Sequence, residues 1–205
     1  MNQKQCVPFL LALALFSLAL PAFAGADTYQ FRGQNIFADW EGFDGCIDSF
    51  TFVEAFGDRS HAGPGAPVSL AEVEVGIFVY DYCQLTDLVS LFGVATLPAG
   101  TRLISGGLQS ATIQATVQAI DYLNGGSVPV TIGLHWDGQG EVFRSSSSSS
   151  FQSRNFRYRT RSTGNLRNAT MTGDVVAGGV SYAPPGSLVE ARLFDSQSGS
   201  VFIIH

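Results

Sequence analysis

Residues 108–140 read LQSATIQATVQAIDYLNGGSVPVTIGLHWDGQG. Ala111, Ile113, Ala115, Val117 and Ala119 alternate with Thr112, Gln114, Thr116 and Gln118. This is the two-residue period that turns one row of side chains to a core and the other to water. Asn124, Gly125 and Gly126 accept positive φ, and Val128, Val130 and Ile132 then resume the alternation. The stretch therefore predicts two half-buried strands closed as an antiparallel hairpin.

Upstream, residues 68–82 repeat the pattern. Val73, Val75, Ile77 and Val79 face one way and Glu72, Glu74 and Gly76 the other, until Phe78, Tyr80 and Tyr82 make the second face apolar as well. A shift of forty residues lays this run on 111–122, with Asp81-Tyr82 falling on Asp121-Tyr122. Trp40-Glu41-Gly42 and Trp136-Asp137-Gly138 are a second internal echo. Residues 25–34 read as a leading strand, and 35–49 (NIFADWEGFDGCIDS), rich in Asp and Gly, as a loop carrying Trp40 and Cys46. Shorter strands are expected over 166–176, 188–194 and 201–204, with a turn at Ala183-Pro184-Pro185-Gly186.

Strands at this density, separated by Gly, Pro and Asp and lacking any helical period, predict an all-β chain, an antiparallel β-sandwich. It is either one sandwich or two similar halves, 25–101 and 102–205, with 97–100 (LPAG) at the boundary. A closed barrel is the runner-up. An outer-membrane barrel would show lipid-facing alternation and aromatic girdles, usually with a C-terminal aromatic, whereas this sequence ends in His205.

Residues 1–24 have the pattern of a secretory signal peptide: Lys4, an apolar run over 7–20, and Ala22-Phe23-Ala24. No later stretch is long and apolar enough for a transmembrane helix. A secreted or periplasmic protein is expected, and in that compartment Cys46 and Cys83, the only cysteines after the leader, are expected to form one disulfide.

Charge is unevenly spread. Between Asp27 and Glu141 fourteen carboxylates stand against Arg32, Arg59 and Arg102, whereas 142–167 holds six arginines and no acid. The net charge of −6 argues against nucleic acid as a partner. Arg157, Arg159 and Arg161 alternate with Tyr158 and Thr160, which places three guanidiniums about 7 Å apart on one strand face. With Arg154, and widened by Arg144, they form the expected ligand-binding surface, suited to carboxylates, sulfates or phosphates.

Signals for catalysis and cofactors are weak. His61, His135 and His205 lack metal-ligand spacing, and there is no G-x-S-x-G turn, phosphate loop or HExxH. Asp39, Glu41, Asp44 and Asp48 are dense enough to raise Ca²⁺, but do not follow the EF-hand pattern. Exposed Trp40 and Trp136 would suit sugar stacking, and buried ones a core. The expectation is a non-catalytic binding or surface protein without cofactor or metal, contacting an anionic glycan or acidic protein. The competing class is a small secreted hydrolase with His135 and Asp137, or paired carboxylates, in a loop cleft.

Overall fold

The computed structural model describes residues 26–184 and 186–204; the leader expected over 1–24 lies outside them. Ten strands follow in order: β1 (Ala26–Asp44), β2 (Ile47–Ala62), β3 (Val68–Asp81), β4 (Thr86–Thr96), β5 (Ser110–Asp121), β6 (Ser127–Gly138), β7 (Phe143–Gln152), β8 (Phe156–Ala177), β9 (Val180–Ser181) and β10 (Leu188–Ile204). Every pairing between them is antiparallel. Among the described residues no helix is long and apolar enough to cross a membrane.

The chain is thus all-β and antiparallel, as the alternation predicts, and the strands form one sheet. The order runs β10-β1-β2-β3-β4-β5-β6-β8-β7, and β10 also pairs with β8. Eight strands therefore form a closed hydrogen-bonded circuit, with β7 and β9 added along β8. This is barrel connectivity, and opposing walls of the one sheet supply the facing layers. The circuit is thinnest between β4 and β5, where register pairing is limited to Leu91 with Asp121 and Phe92 with Ile120. Gly93 explains how the two strands cross there: a Cβ on it would lie 2.7 Å from Val117 Cγ1 and 2.8 Å from Ala119 Cα.

Inward rows follow the predicted parity. Val73, Val75 and Ile77 are buried on β3, and Ala111, Ile113, Val117 and Ala119 on β5, while Thr112, Gln114, Thr116 and Gln118 are exposed. Residues from both sides of position 101 enter the same core. Trp40 and Trp136 are both buried in it, which removes them as exposed sugar platforms. The Trp136 indole spans the interior, donating from Nε1 to the Phe37 carbonyl at 2.9 Å, so its one polar atom is satisfied. The connection between β4 and β5 folds inward as a plug, burying Leu103, Ile104 and Leu108.

Three expectations are corrected by strand length. Residues 35–44 are no loop: β1 continues through them, because Ile36, Ala38 and Trp40 occupy inward positions while Asp39 and Glu41 face out. The arginine segment and residues 166–176 belong to one 22-residue strand, β8, and 188–194 and 201–204 to one 17-residue strand, β10. Polar residues misled the reading: in β1 Asp39 and Glu41 are the outward row of a strand in the core, and in β8 and β10 strands that outrun the core carry polar side chains on both faces.

The forty-residue echo has a structural counterpart in its turns. Asp81 Oδ1 accepts from the backbone N–H of Cys83 and Gln84, and Asp121 Oδ1 from those of Leu123 and Asn124. The next residue has positive φ in both cases, Leu85 at 54° and Gly125 at 73°. The shared strand period thus ends in the same aspartate-capped turn.

Cys46 and Cys83 form the expected disulfide, tying the β1–β2 turn to the β3–β4 turn across 37 residues of sequence. Loop closure over that span contributes about 3–4 kcal/mol on the chain-entropy account. Replacing both cysteines with serine is expected to lower unfolding free energy by that order, measured by urea denaturation of oxidised wild type against the variant.

Candidate functional site

Strands β1, β2, β8 and β10 run well past the apolar core, and parity carries their inward rows beyond it. On β1 the row Trp40, Ala38, Ile36 continues as Gln34, Arg32 and Gln30; on β2, Val53 and Ala55 continue as Gly57, Arg59 and His61. Beyond the buried Leu193, β10 contributes Asp195, Gln197 and Gly199. Two residues per repeat leave no freedom here, since any side chain an even number of positions from a core residue shares its face.

Register brings these extensions side by side. Arg59 pairs with Arg32, Arg32 with Gln197 and Gln197 with Thr163; the next rung runs His61, Gln30, Gly199, Arg161. These residues line an open cleft of about 770 Å³ at what we call the basic end. One level deeper, the plug closes it off. Gln34 Oε1 accepts from Leu103 N at 3.1 Å and from Ile104 N at 3.4 Å, and a Cβ on Gly57 would lie 3.3 Å from the Thr101 carbonyl.

Among the described residues no carboxylate lines the cleft. Arg32 and Arg59 are direct cross-strand partners, an arrangement that destabilises a sheet when the charges are alike. Among the described residues the ion pairs are Arg192 with Glu190 and, when the imidazole is protonated, His135 with Asp137. Neither pair involves Arg32, Arg59 or Arg161. Asp195, the acid on the same inward row of β10, accepts from Asn165 Nδ2 at 2.6 Å. The arrangement suits an anion held by several guanidiniums at once.

The sequence-predicted arginines divide across this site. Arg161 lines the cleft. Arg159 and Arg157 continue its row outward along β8, exposed, facing Val201 and Ile203 on β10 and Ser150 and Gln152 on β7. Arg154 lies in the β7–β8 turn, and Arg144 on β7 beside Asn165, both exposed. Arg167 is engaged elsewhere, donating from Nε to the Gly140 carbonyl at 3.1 Å. Sequence reasoning missed Arg32, Arg59 and His61. Their signal was parity: Arg32 is four residues from Ile36 and Arg59 four from Ala55, hence on the same faces.

The other candidates lie elsewhere. His135 is hydrogen-bonded at both nitrogens, Nδ1 with Thr112 Oγ1 at 2.7 Å and Nε2 with Asp137 Oδ1 at 3.2 Å. That line sits on the outer face of β5 and β6, and none of its members lines the basic cleft. Asp39 accepts from the Glu190 N–H at 2.8 Å, and the carboxylates at 39, 41, 44 and 48 do not converge. Among the described residues, the group with metal-ligand geometry is Cys46, Asp81 and Cys83, and its two sulfurs are joined as the disulfide. No protein-family model matches the chain, and no curated protein matches its sequence.

Away from the cleft, the outer face of β2 and β3 concentrates the opposite sign. Glu54 and Glu74 are cross-strand partners, with Glu72 one outward position along. Burial, then repulsion from Glu54 and Glu72, raises the Glu74 pKa above the ordinary glutamate value. A raised carboxylate is a liability when ionised, relieved as pH falls through its folded-state pKa. Glu74→Gln is therefore expected to raise the melting temperature at pH 7, with the gain shrinking as pH falls through the raised Glu74 pKa and gone once it reaches the ordinary glutamate value. Thermal unfolding across a pH series measures it.

Proposed function

We propose that this is a secreted or periplasmic, non-catalytic binding protein whose basic cleft receives an anionic ligand, such as the sulfate, carboxylate or phosphate groups of a glycan or an acidic protein. The observation that carries the reading is the convergence of Arg32, Arg59 and Arg161, from three strands, without an acidic partner among the described residues. Folding alone disfavours placing Arg32 opposite Arg59, so a role in binding accounts for a pair that stability does not. Gln30, Thr163 and Gln197 add neutral donors around the same space. Arg157 and Arg159 extend the positive row for about 7 Å per step, which favours an extended anion over a single small one.

Two features support binding over hydrolysis. The Thr112–His135–Asp137 line stands on an open sheet face, where a substrate would meet water on all sides. The cleft's arginines do not exchange protons near neutral pH, and its imidazole, His61, has no carboxylate bonded to it among the described residues. The disulfide and the absence of a membrane-spanning helix among the described residues are compatible with an extracellular or periplasmic setting.

The test separates binding from folding. The protein is expected to be retained on immobilised heparin at low salt and released as salt rises. Arg32→Ser combined with Arg59→Ser should abolish retention while leaving the melting temperature unchanged or slightly higher, because a like-charge pair has been removed. Replacing Arg157, Arg159 and Arg161 with serine should weaken retention without unfolding. Failure of wild type to bind at low salt, or equal retention of the cleft variant, would refute the proposal.

A further inference from the structure

The strand directions give the molecule two chemically opposite ends. The β1–β2, β3–β4, β5–β6 and β8–β9 turns all lie at the end away from the arginines, because each follows a strand running in the same sense. This turn end exposes Phe43 (68%), Tyr82 (55%), Leu85 (75%) and Tyr122 (60%), with Leu123 and Val180. Phe43 and Tyr82 meet edge to face at 6.4 Å, so the apolar surface bridges two turns. Exposed large apolar side chains on neighbouring turns form a patch of the kind that marks an interaction surface.

Its charge is one-signed. Asp44, Asp87 and Asp121 lie on or beside these turns, and the turn segments contain no lysine or arginine. Asp121 is kept ionised by the Asn124 side chain and the Asn124 and Leu123 N–H groups, which lower its pKa.

The basic end is the complement in both respects. Arg154, Arg157 and Arg159 stand at the β7–β8 tip beside an aromatic cluster, in which Phe156 lies 5.3 Å from Phe151 and 5.5 Å from Phe202. Phe151 is more than half exposed. A twofold contact through either end would set that end against itself, arginines against arginines or aspartates against aspartates. Only a head-to-tail contact matches aromatic with aromatic and each charge with its opposite.

We propose that copies of this chain associate end to end, the arginine and phenylalanine tip of one seated on the acidic, aromatic turns of the next. Such a contact is heterologous and does not close on itself, so it continues into an open chain of subunits. The partner is a second copy, and the association does not require the external anion proposed for the cleft.

Sedimentation velocity of the purified chain in low salt tests it. Wild type is expected to show species larger than monomer that grow with concentration and dissolve at high salt. Phe43→Ser with Leu85→Ser removes the turn-end surface, and Arg157→Ser with Arg159→Ser the basic tip; each variant alone should be monomeric. Mixed, they retain one intact contact between them and should give dimers and nothing larger, which also proves both variants folded. Monomeric wild type, a variant that still forms the series, or a mixture without dimers overturns the proposal. So does monomeric wild type that sediments with phosphatidylcholine vesicles through Phe43 and Leu85. Heparin retention by a monomeric wild type would leave the cleft reading standing while this one fails, and assembly without heparin retention the reverse.

Discussion

Thirteen consecutive register pairs between β8 and β10 close the sheet, and the rest of the structure depends on that ladder. β10 is also the neighbour of β1, so closure sets the arginine half of β8 next but one to the strand carrying Arg32. Without it Arg161 would lie on a free edge, far from Arg32 and Arg59. The same ladder seals the core: Leu193 of β10, set between Arg167 of β8 and Ile36 of β1, is fully buried because a strand covers each of its flanks. A row of backbone hydrogen bonds is weak per residue but long, and it cannot shift by one position without turning every apolar side chain outward.

The interior is therefore divided along the strand axis. Toward the turns it is filled by aliphatic side chains and the two tryptophans; toward the other end the plug, bonded to Gln34, marks where apolar packing stops and the basic cleft begins. The plug solves a packing problem that the strands leave, since rows thinning from Val and Ile to Gln and Gly do not fill the space between opposing walls. Gly57, set against Thr101 and Leu103, is small where the plug comes closest. The cleft is thus a consequence of strands longer than the core they enclose.

Polar ends with an apolar middle also explain the charge map. Acidic side chains collect on the outer face of β2 and β3 and at the turns, arginines at the mouth, and the core separates the two. On β5 the outward row is Thr112, Gln114, Thr116 and Gln118, and on β7 it includes a serine run. The outer face of β2, β3 and β4 differs, with Phe50, Phe52, Phe78 and Phe92 turned outward in one aromatic cluster.

The strand class, the inward rows at 73–77 and 111–119, the disulfide partners and the aspartate-capped turns at Asp81 and Asp121 were all legible, because each rests on interactions within a few residues or on the two-residue period. Strand length was not. Asp39, Glu41 and Gly42 resemble loop residues, yet continue a strand, since only the neighbours supplied by β2 and β10 make their backbone polar groups satisfied in extended form. Likewise Arg157, Arg159 and Arg161 were visible as a row, but not Arg32, Arg59 and His61 as their companions. The alternation along each strand is local chemistry and belongs to the sequence by itself. Which rows meet around a closed sheet depends on register between strands distant in the chain, and that was decided by the one tertiary arrangement that buries all the apolar rows together.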